Sequence, residues 1–208
     1  YYSATRSKDK EKYWPADVHV IGKGINWFHS VFWPAILFSA KIEQSKKIIV
    51  HGYLTINGEK IGKSLGNLID PNDLINRYGV DQLRYFLIRE IPFGEDGDFS
   101  EEALKLRINN ELANDLGNLV SRVLTLVEKN FKSLKKSEVD KKLTSKLNLN
   151  KINGYIDNFE LHNALNEIWR FINEVNKHIN EEKPWELKGK ELENHLYTLL
   201  ESIRVISI

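Results

Sequence analysis

Residues 51 to 67 read HGYLTINGEKIGKSLGN. The apolar run KIIVHGYLT, over 47–55, enters this stretch as a buried strand, and Asn57-Gly58 turns it. Beyond the turn Lys60 and Lys63 stand three apart, with Gly58, Gly62 and Gly66 around them. Ammonium groups on so flexible a segment can swing onto a triphosphate and neutralise the charge that departs as pyrophosphate. Only the GKS end of a GxxxxGK[ST] phosphate loop is present, since no second glycine stands at the required offset. By spacing alone the segment reads more readily as a solvated lysine-rich turn.

Upstream, ADVHVIG over 16–22 predicts a short strand ending in glycine. INWFHSVFWPAILFSA over 25–40 predicts an apolar helix kinked or interrupted at Pro34. Strand, helix and strand of this length suggest a right-handed parallel crossover, the unit from which nucleotide-binding sheets are made. One such unit is not a sheet, so further strands are expected before Tyr1. The lack of an initiator methionine and the uncapped apolar end SIRVISI also read as the cut ends of a longer protein.

Downstream, DPNDLINRYG predicts a helix with Pro71 in its first turn and Gly79 as C-terminal cap, followed by the helix VDQLRYFLIRE. The break IPFGEDGDFS places a domain boundary near residue 94. Beyond it Ser100 caps a helix with Glu101 and Glu102 in its first turn and Leu104, Ile108, Leu112, Leu119, Val123 and Leu126 on its apolar side. Residues 129–151 hold eight lysines against two acids and read as an exposed connection. Residues 159–180 and 191–208 are two more amphipathic helices. The expected fold class is therefore α/β followed by all-α: a partial Rossmann-type parallel sheet over residues 1–94, then an antiparallel helix bundle over 95–208.

The 208 residues are 41% hydrophobic, enough for a real core, and the net charge of +1 advertises no global field for nucleic acid. The absence of cysteine rules out disulfides and thiolate zinc sites within these residues, and six scattered histidines do not support zinc bound by histidine alone. No apolar run approaches the roughly 20 residues of a membrane span. The start YYSATRSKDK is neither a signal nor a transit helix, so the chain reads as cytosolic.

KIGKSLGN and the helices after it resemble the Lys-Met-Ser-Lys-Ser loop of class I aminoacyl-tRNA synthetases. HVIGKGINWFHSVFWPAILFSA is similar to the Gly-Lys-Asp-Ile, Phe-His and Trp-Pro-Ala text of the methionyl-tRNA synthetase family. The resemblance continues through GEDGDFSEEAL, ELANDLGNLVSR and EKPWEL. It implies an enzyme that joins methionine to ATP, carried with Mg2+, and passes the methionyl group to its tRNA. Position and charge neutralisation would supply the rate, without a covalent enzyme intermediate. Lys63 would hold the phosphates with Lys60 assisting, and Gly22 and Gly24 would lie in the ATP site. Tyr1, Ile25 and His29 would line the methionine pocket. Without the family, His29 on an aromatic helix reads as a core histidine. Asn118 and Arg122 would read the CAU anticodon, and the pair Pro184 and Trp185 would present an indole for stacking on a base. With Asn114 they lie at i, i+4 and i+8, which on an α-helix is one face and, without the family, equally a solvated one.

Gly24 stands where the family has aspartate, and Gly62 where it has serine. A lost carboxylate contact costs about 1 to 3 kcal/mol, so aspartate restored at 24 is expected to improve ATP use. Ile61 in place of methionine conserves volume. No His-Ile-Gly-His text occurs in these residues, so catalysis by them alone is not expected. A non-catalytic tRNA-binding module or split subunit is the competing reading, and a purely structural helical protein a third.

Overall fold

The computed structural model describes residues 1–6, 10–56, 58–62 and 66–207. It forms two compact units, residues 1–69 with 91–99, and residues 70–90 with 100–208.

The first unit opens with a short helix α1 (Tyr2–Thr5) and strand β1 (Val18–Gly22), which pairs in parallel with β2 (Lys47–His51) from Val18 opposite Lys47 to Gly22 opposite His51. The crossover is helical and continuous through Pro34. Its backbone winds as a π-helix over Phe28–Phe32 and tightens into α2 (Trp33–Ser39), with Pro34 in the first turn. The expected interruption is thus a change of winding: a wider turn precedes the residue that has no N–H to donate.

The strand expected over 47–55 is two strands in two sheets. Strand β2 ends at His51, and β3 (Leu54–Ile56) joins a second sheet, antiparallel to β4 (Glu59–Lys60) and parallel to β5 (Gly97–Asp98). The break falls at Gly52, which lies so close to the 95–96 backbone that a Cβ would sit 1.9 Å from the Glu95 carbonyl oxygen. Only glycine fits there.

In the second unit local chemistry sets the helix ends. Pro71 opens α3 (Pro71–Tyr78), the Asp70 carboxylate accepts from the Asn72 N–H at 2.9 Å, and Gly79 closes the helix at φ +94°. After α4 (Val80–Glu90) the Ser100 hydroxyl caps α5 (Glu101–Arg107) by accepting from the Ala103 N–H at 3.0 Å. The chain then winds as a π-helix over Ile108–Gly117 and returns to α-form in α6 (Asn118–Asn130). Two long helices follow, α9 (Leu161–Glu182) and α10 (Gly189–Ile206), and every regular element described from residue 100 onward is helical. Leu119, Val123, Leu143, Phe171, Ile172, Val175, Ile179, Leu196 and Leu199 form the core.

Helices α3 and α4, assigned from sequence to the first domain, pack within this second unit. Tyr85 stacks edge-on against Trp169 of α9, and Arg77 and Tyr78 bond Glu101 of α5. The connection expected over 129–151 also contains structure. Helix α7 (Lys141–Thr144) buries Leu143, and α8 (Leu149–Asp157), capped by Asn148, buries Ile152 and packs on α9. Lysine-rich composition masks these two apolar anchors.

Glu101 accepts from the Tyr78 hydroxyl, from Lys105 at 3.1 Å and from Arg77 at 2.8 Å, and these partners pull its carboxyl down to about 2. Its folded value lies below the ordinary 4.5, so the stabilisation is complete above pH 4.5 and is lost as pH falls toward 2. Acid titration of unfolding should show a decline across this window that Glu101→Gln makes shallower, the remainder coming from other carboxylates held below their ordinary values, such as Asp96, Glu167 and Glu201.

Candidate functional site

The β3–β4 hairpin carries Lys60 to the mouth of the 60–67 loop. One amide closes the base of that loop: the Gly62 N–H donates to Asn67 Oδ1 at 2.9 Å, and Asn67 Nδ2 donates to the Lys60 carbonyl at 3.1 Å. Lys63 lies outside the described residues. The ammonium of Lys60 stands over the Tyr53 ring, 4.2 Å from its centroid, and Lys23 stands 4.7 Å from the same ring. Lys23 also pairs with Asp96 at 2.5 Å, and the other Asp96 oxygen accepts from the Tyr53 N–H at 2.7 Å. The bond from Lys23 and that from the Tyr53 backbone hold the Asp96 carboxyl below its ordinary value.

The two glycines proposed for a nucleotide flank this cluster. At Gly22 a Cβ would make an ordinary 3.5 Å contact with His51. At Gly24 it would stand 2.3 Å from the Tyr53 hydroxyl, which occupies the space a side chain would need. An aspartate at 24 therefore cannot simply be restored, because Tyr53 must first move.

On the helical crossover His29 Nδ1 donates to the Ile25 carbonyl at 3.0 Å. In the neutral ring that leaves Nε2 to accept from the Tyr1 hydroxyl at 3.1 Å. An open cleft of about 320 Å³ lies here, lined by Tyr1, Phe28, His29, Phe32, Trp33 and Ile36. The structure thus brings Tyr1 and His29 together. Ile25 contributes its carbonyl, and its half-exposed side chain is not among the lining residues. The wall is instead Phe28, Phe32, Trp33 and Ile36. Positions 33 and 36 share a face of α2, but positions 29 and 32 lie in the π-wound segment, so α-helical spacing alone did not disclose this wall. The Trp33 indole nitrogen and His19 Nδ1 are buried beside Tyr1 without a hydrogen-bond partner among the described residues. Partial burial, then the nearby charge of His29, lowers the His19 pKa.

A second constellation lies in the helical unit. Arg122 of α6 donates to the Asn180 side chain of α9 at 3.0 Å, and Asn118 is exposed one turn earlier. Helix α9 is capped by Lys183, which adopts a left-handed conformation with φ 44°. The Lys183 carbonyl accepts from the Glu186 N–H at 2.8 Å, closing a tight turn with Pro184 and Trp185 at its centre. Pro184 is buried and anchors the turn, whereas Trp185 is 56% exposed. Trp169, at mid-helix, is buried. Asn118 and Arg122 share an α-helical face. Asn114 lies in the π-wound segment, where the i, i+4 rule that aligned it with them does not apply.

A family model described as tRNA synthetases class I (M) matches residues 1–124. The chain belongs to the class I methionyl-tRNA synthetases. It is 47% identical to the methionine–tRNA ligase of Caldanaerobacter subterraneus over all of this chain and 34% of the relative. It is 46% identical to that of Thermotoga maritima over 95% of this chain and 33% of the relative. Among solved structures, the Mycobacterium tuberculosis methionyl-tRNA synthetase bound by methionyl-adenylate superposes with a TM-score of 0.88 at 40% identity, covering 98% of this chain and 43% of that one. Its free form gives a TM-score of 0.82. The chain thus spans about a third of the length of these curated methionyl-tRNA synthetases. Its fold is of the class I synthetase catalytic type, with a small parallel sheet and many helices. Among the described residues no helix is long and apolar enough to cross a membrane, and no group of three or more His, Cys, Asp or Glu is placed to hold a metal ion.

Proposed function

We propose that this chain is part of a methionine–tRNA ligase, contributing the lysine loop and part of the methionine cleft in its first unit and an anticodon-reading surface in its second. In the reaction a methionine carboxylate oxygen bonds to the α-phosphorus of ATP, carried with Mg2+, as pyrophosphate leaves. The methionyl group then passes from the adenylate to the tRNA 3′ end. Lys63 neutralises the departing phosphates with help from Lys60, and Gly22 and Gly24 border the nucleotide. Tyr1 and His29 face the methionine side chain, with Trp33 and the flanking phenylalanines supplying an apolar wall for the thioether. Asn118, Arg122 and Trp185, seated by Pro184, meet the CAU anticodon, where amide and guanidinium donors suit the edges of splayed bases.

The observation that carries this reading is sequence identity of 47% over the whole chain with a methionine–tRNA ligase. Support also comes from the likeness to a synthetase bound by methionyl-adenylate. The test is methionine-dependent ATP–pyrophosphate exchange by the full-length protein, together with its binding to stem-loops bearing CAU or a swapped anticodon. Gly24 and Gly62 favour one second reading, a tRNA-binding module without catalysis. That reading predicts anticodon-dependent binding and no exchange.

Position 24 supplies a further prediction. Aspartate at Gly24 should lower exchange, because its Cβ displaces Tyr53. Combining it with Tyr53→Phe, which removes the obstructing hydroxyl, should recover the loss. An increase from Gly24→Asp alone would show that the crowding is relieved at no cost.

A further inference from the structure

Backbone bonds fix Tyr53 before its ring makes any contact. Its N–H donates to Asp96 at 2.7 Å, and its carbonyl accepts from the Gly97 N–H at 2.9 Å. The preceding Gly52 is seated against the Glu95 carbonyl with no room for a Cβ. The ring that projects from this junction carries two ammonium groups, and they are not equivalent. Lys23 is already neutralised by Asp96 at 2.5 Å. Lys60 makes no ion pair among the described residues, and its tip rests on the Tyr53 face at 4.2 Å.

Lysine has a long flexible stem, and holding its charge in one place costs side-chain entropy. A donor fixed before the reaction needs no reorganisation when charge develops. Here the Asn67 amide holds the Lys60 backbone and the Tyr53 ring holds its tip. Gly24 belongs to the same device, since any side chain there would push the Tyr53 hydroxyl out of place.

We propose that Tyr53 is a positioning residue for adenylate formation. Its ring parks the Lys60 ammonium at the entrance of the 60–67 loop, so that this charge is aimed before a triphosphate arrives. The proposal rests on the ligase reading above. It assigns Tyr53 no contact with substrate, and the effect passes through Lys60.

The test uses the full-length protein. Tyr53→Leu should lower kcat for methionine-dependent exchange about fivefold with methionine KM unchanged, and Tyr53→Phe, which keeps the ring, should restore most of it. In a Lys60→Ala background Tyr53→Leu should add nothing, because the two residues act as one unit. Multiplying effects, or a phenylalanine variant as slow as the leucine one, would overturn the proposal. A readout independent of activity is the Lys60 Hε resonance, shifted upfield by the ring in the unsubstituted protein and in Tyr53→Phe, and restored to the ordinary lysine position in Tyr53→Leu. An ordinary position in the unsubstituted protein would also overturn it. Absence of exchange in the unsubstituted protein would overturn the ligase reading, and with it the use of Tyr53 in catalysis, while the resonance still decides whether the ring holds Lys60.

Discussion

Lys63→Ala in the full-length protein should slow methionine-dependent ATP–pyrophosphate exchange by about a hundredfold to a thousandfold, the loss typical when one preorganised electrostatic contact is removed from a transition state. Methionine affinity should change little, because the cleft of Tyr1, His29 and Trp33 is built on the helical crossover and not on the 60–67 loop. The separation of the two effects is the substance of the prediction. A lysine that merely solvated the turn would leave kcat untouched, and one that supported the fold would disturb methionine binding as well. An unchanged exchange rate would remove Lys63 from the mechanism. The Asn67 bridge makes the expectation specific, since its amide ties Gly62 and the Lys60 carbonyl at the base of the loop.

Trp185→Ala should weaken binding of a CAU stem-loop by about 1 to 3 kcal/mol, the range for losing one base–aromatic stack. The geometry favours a direct effect over a folding effect. Trp185 is 56% exposed, so truncating it opens no cavity, and the turn is held by buried Pro184 and by the bond from Glu186 to the Lys183 carbonyl. Thermal unfolding should therefore move little while affinity falls. Stem-loops with CAU and with a swapped anticodon separate stacking on a particular base from attraction to phosphate. Equal losses for both would assign the indole no part in reading sequence. Arg122 donates to Asn180 near the end of α9, so a stem-loop that recruited its guanidinium would have to break or share that bond.

The parts of this fold that the sequence disclosed are those whose causes are local. Pro71, Gly79 and Ser100 stand at helix ends where their local chemistry predicted, and Asp70, which the sequence reading did not single out, adds a cap by accepting from Asn72 two positions on. The strand break at Gly52 was not legible, because its cause is the Glu95 carbonyl, 43 residues on. Nor was the crowding at Gly24, which exists only once Tyr53 has been folded against it. Helix α8 was lost among lysines, since a single buried Ile152 gives little period to detect. At the candidate sites the sequence placed Trp185 at a loop tip after Pro184, and it is exposed there, whereas the Tyr1–His29 hydrogen bond was not foreseen because it joins residues 28 positions apart. The aromatic wall around His29 was visible as apolar text, but nothing in the text separated a cleft from a core.

The wide-wound stretch Ile108–Gly117 joins two helices that a sequence would write as one. Helix α5 before it presents Glu101 to Arg77 and Tyr78, while α6 beyond it presents Leu119 and Val123 to the core and Asn118 and Arg122 outward. In a uniform α-helix a residue's direction at one end fixes the direction at the other, about 100° per residue from 3.6 residues per turn. Ten residues of different pitch keep the two ends coupled but change the angle between them, in the manner of a phase shifter in a shaft. Insertions or deletions within this stretch thus act as an angular adjustment: they turn the outward face of α6 relative to α5 without altering any residue that either face displays.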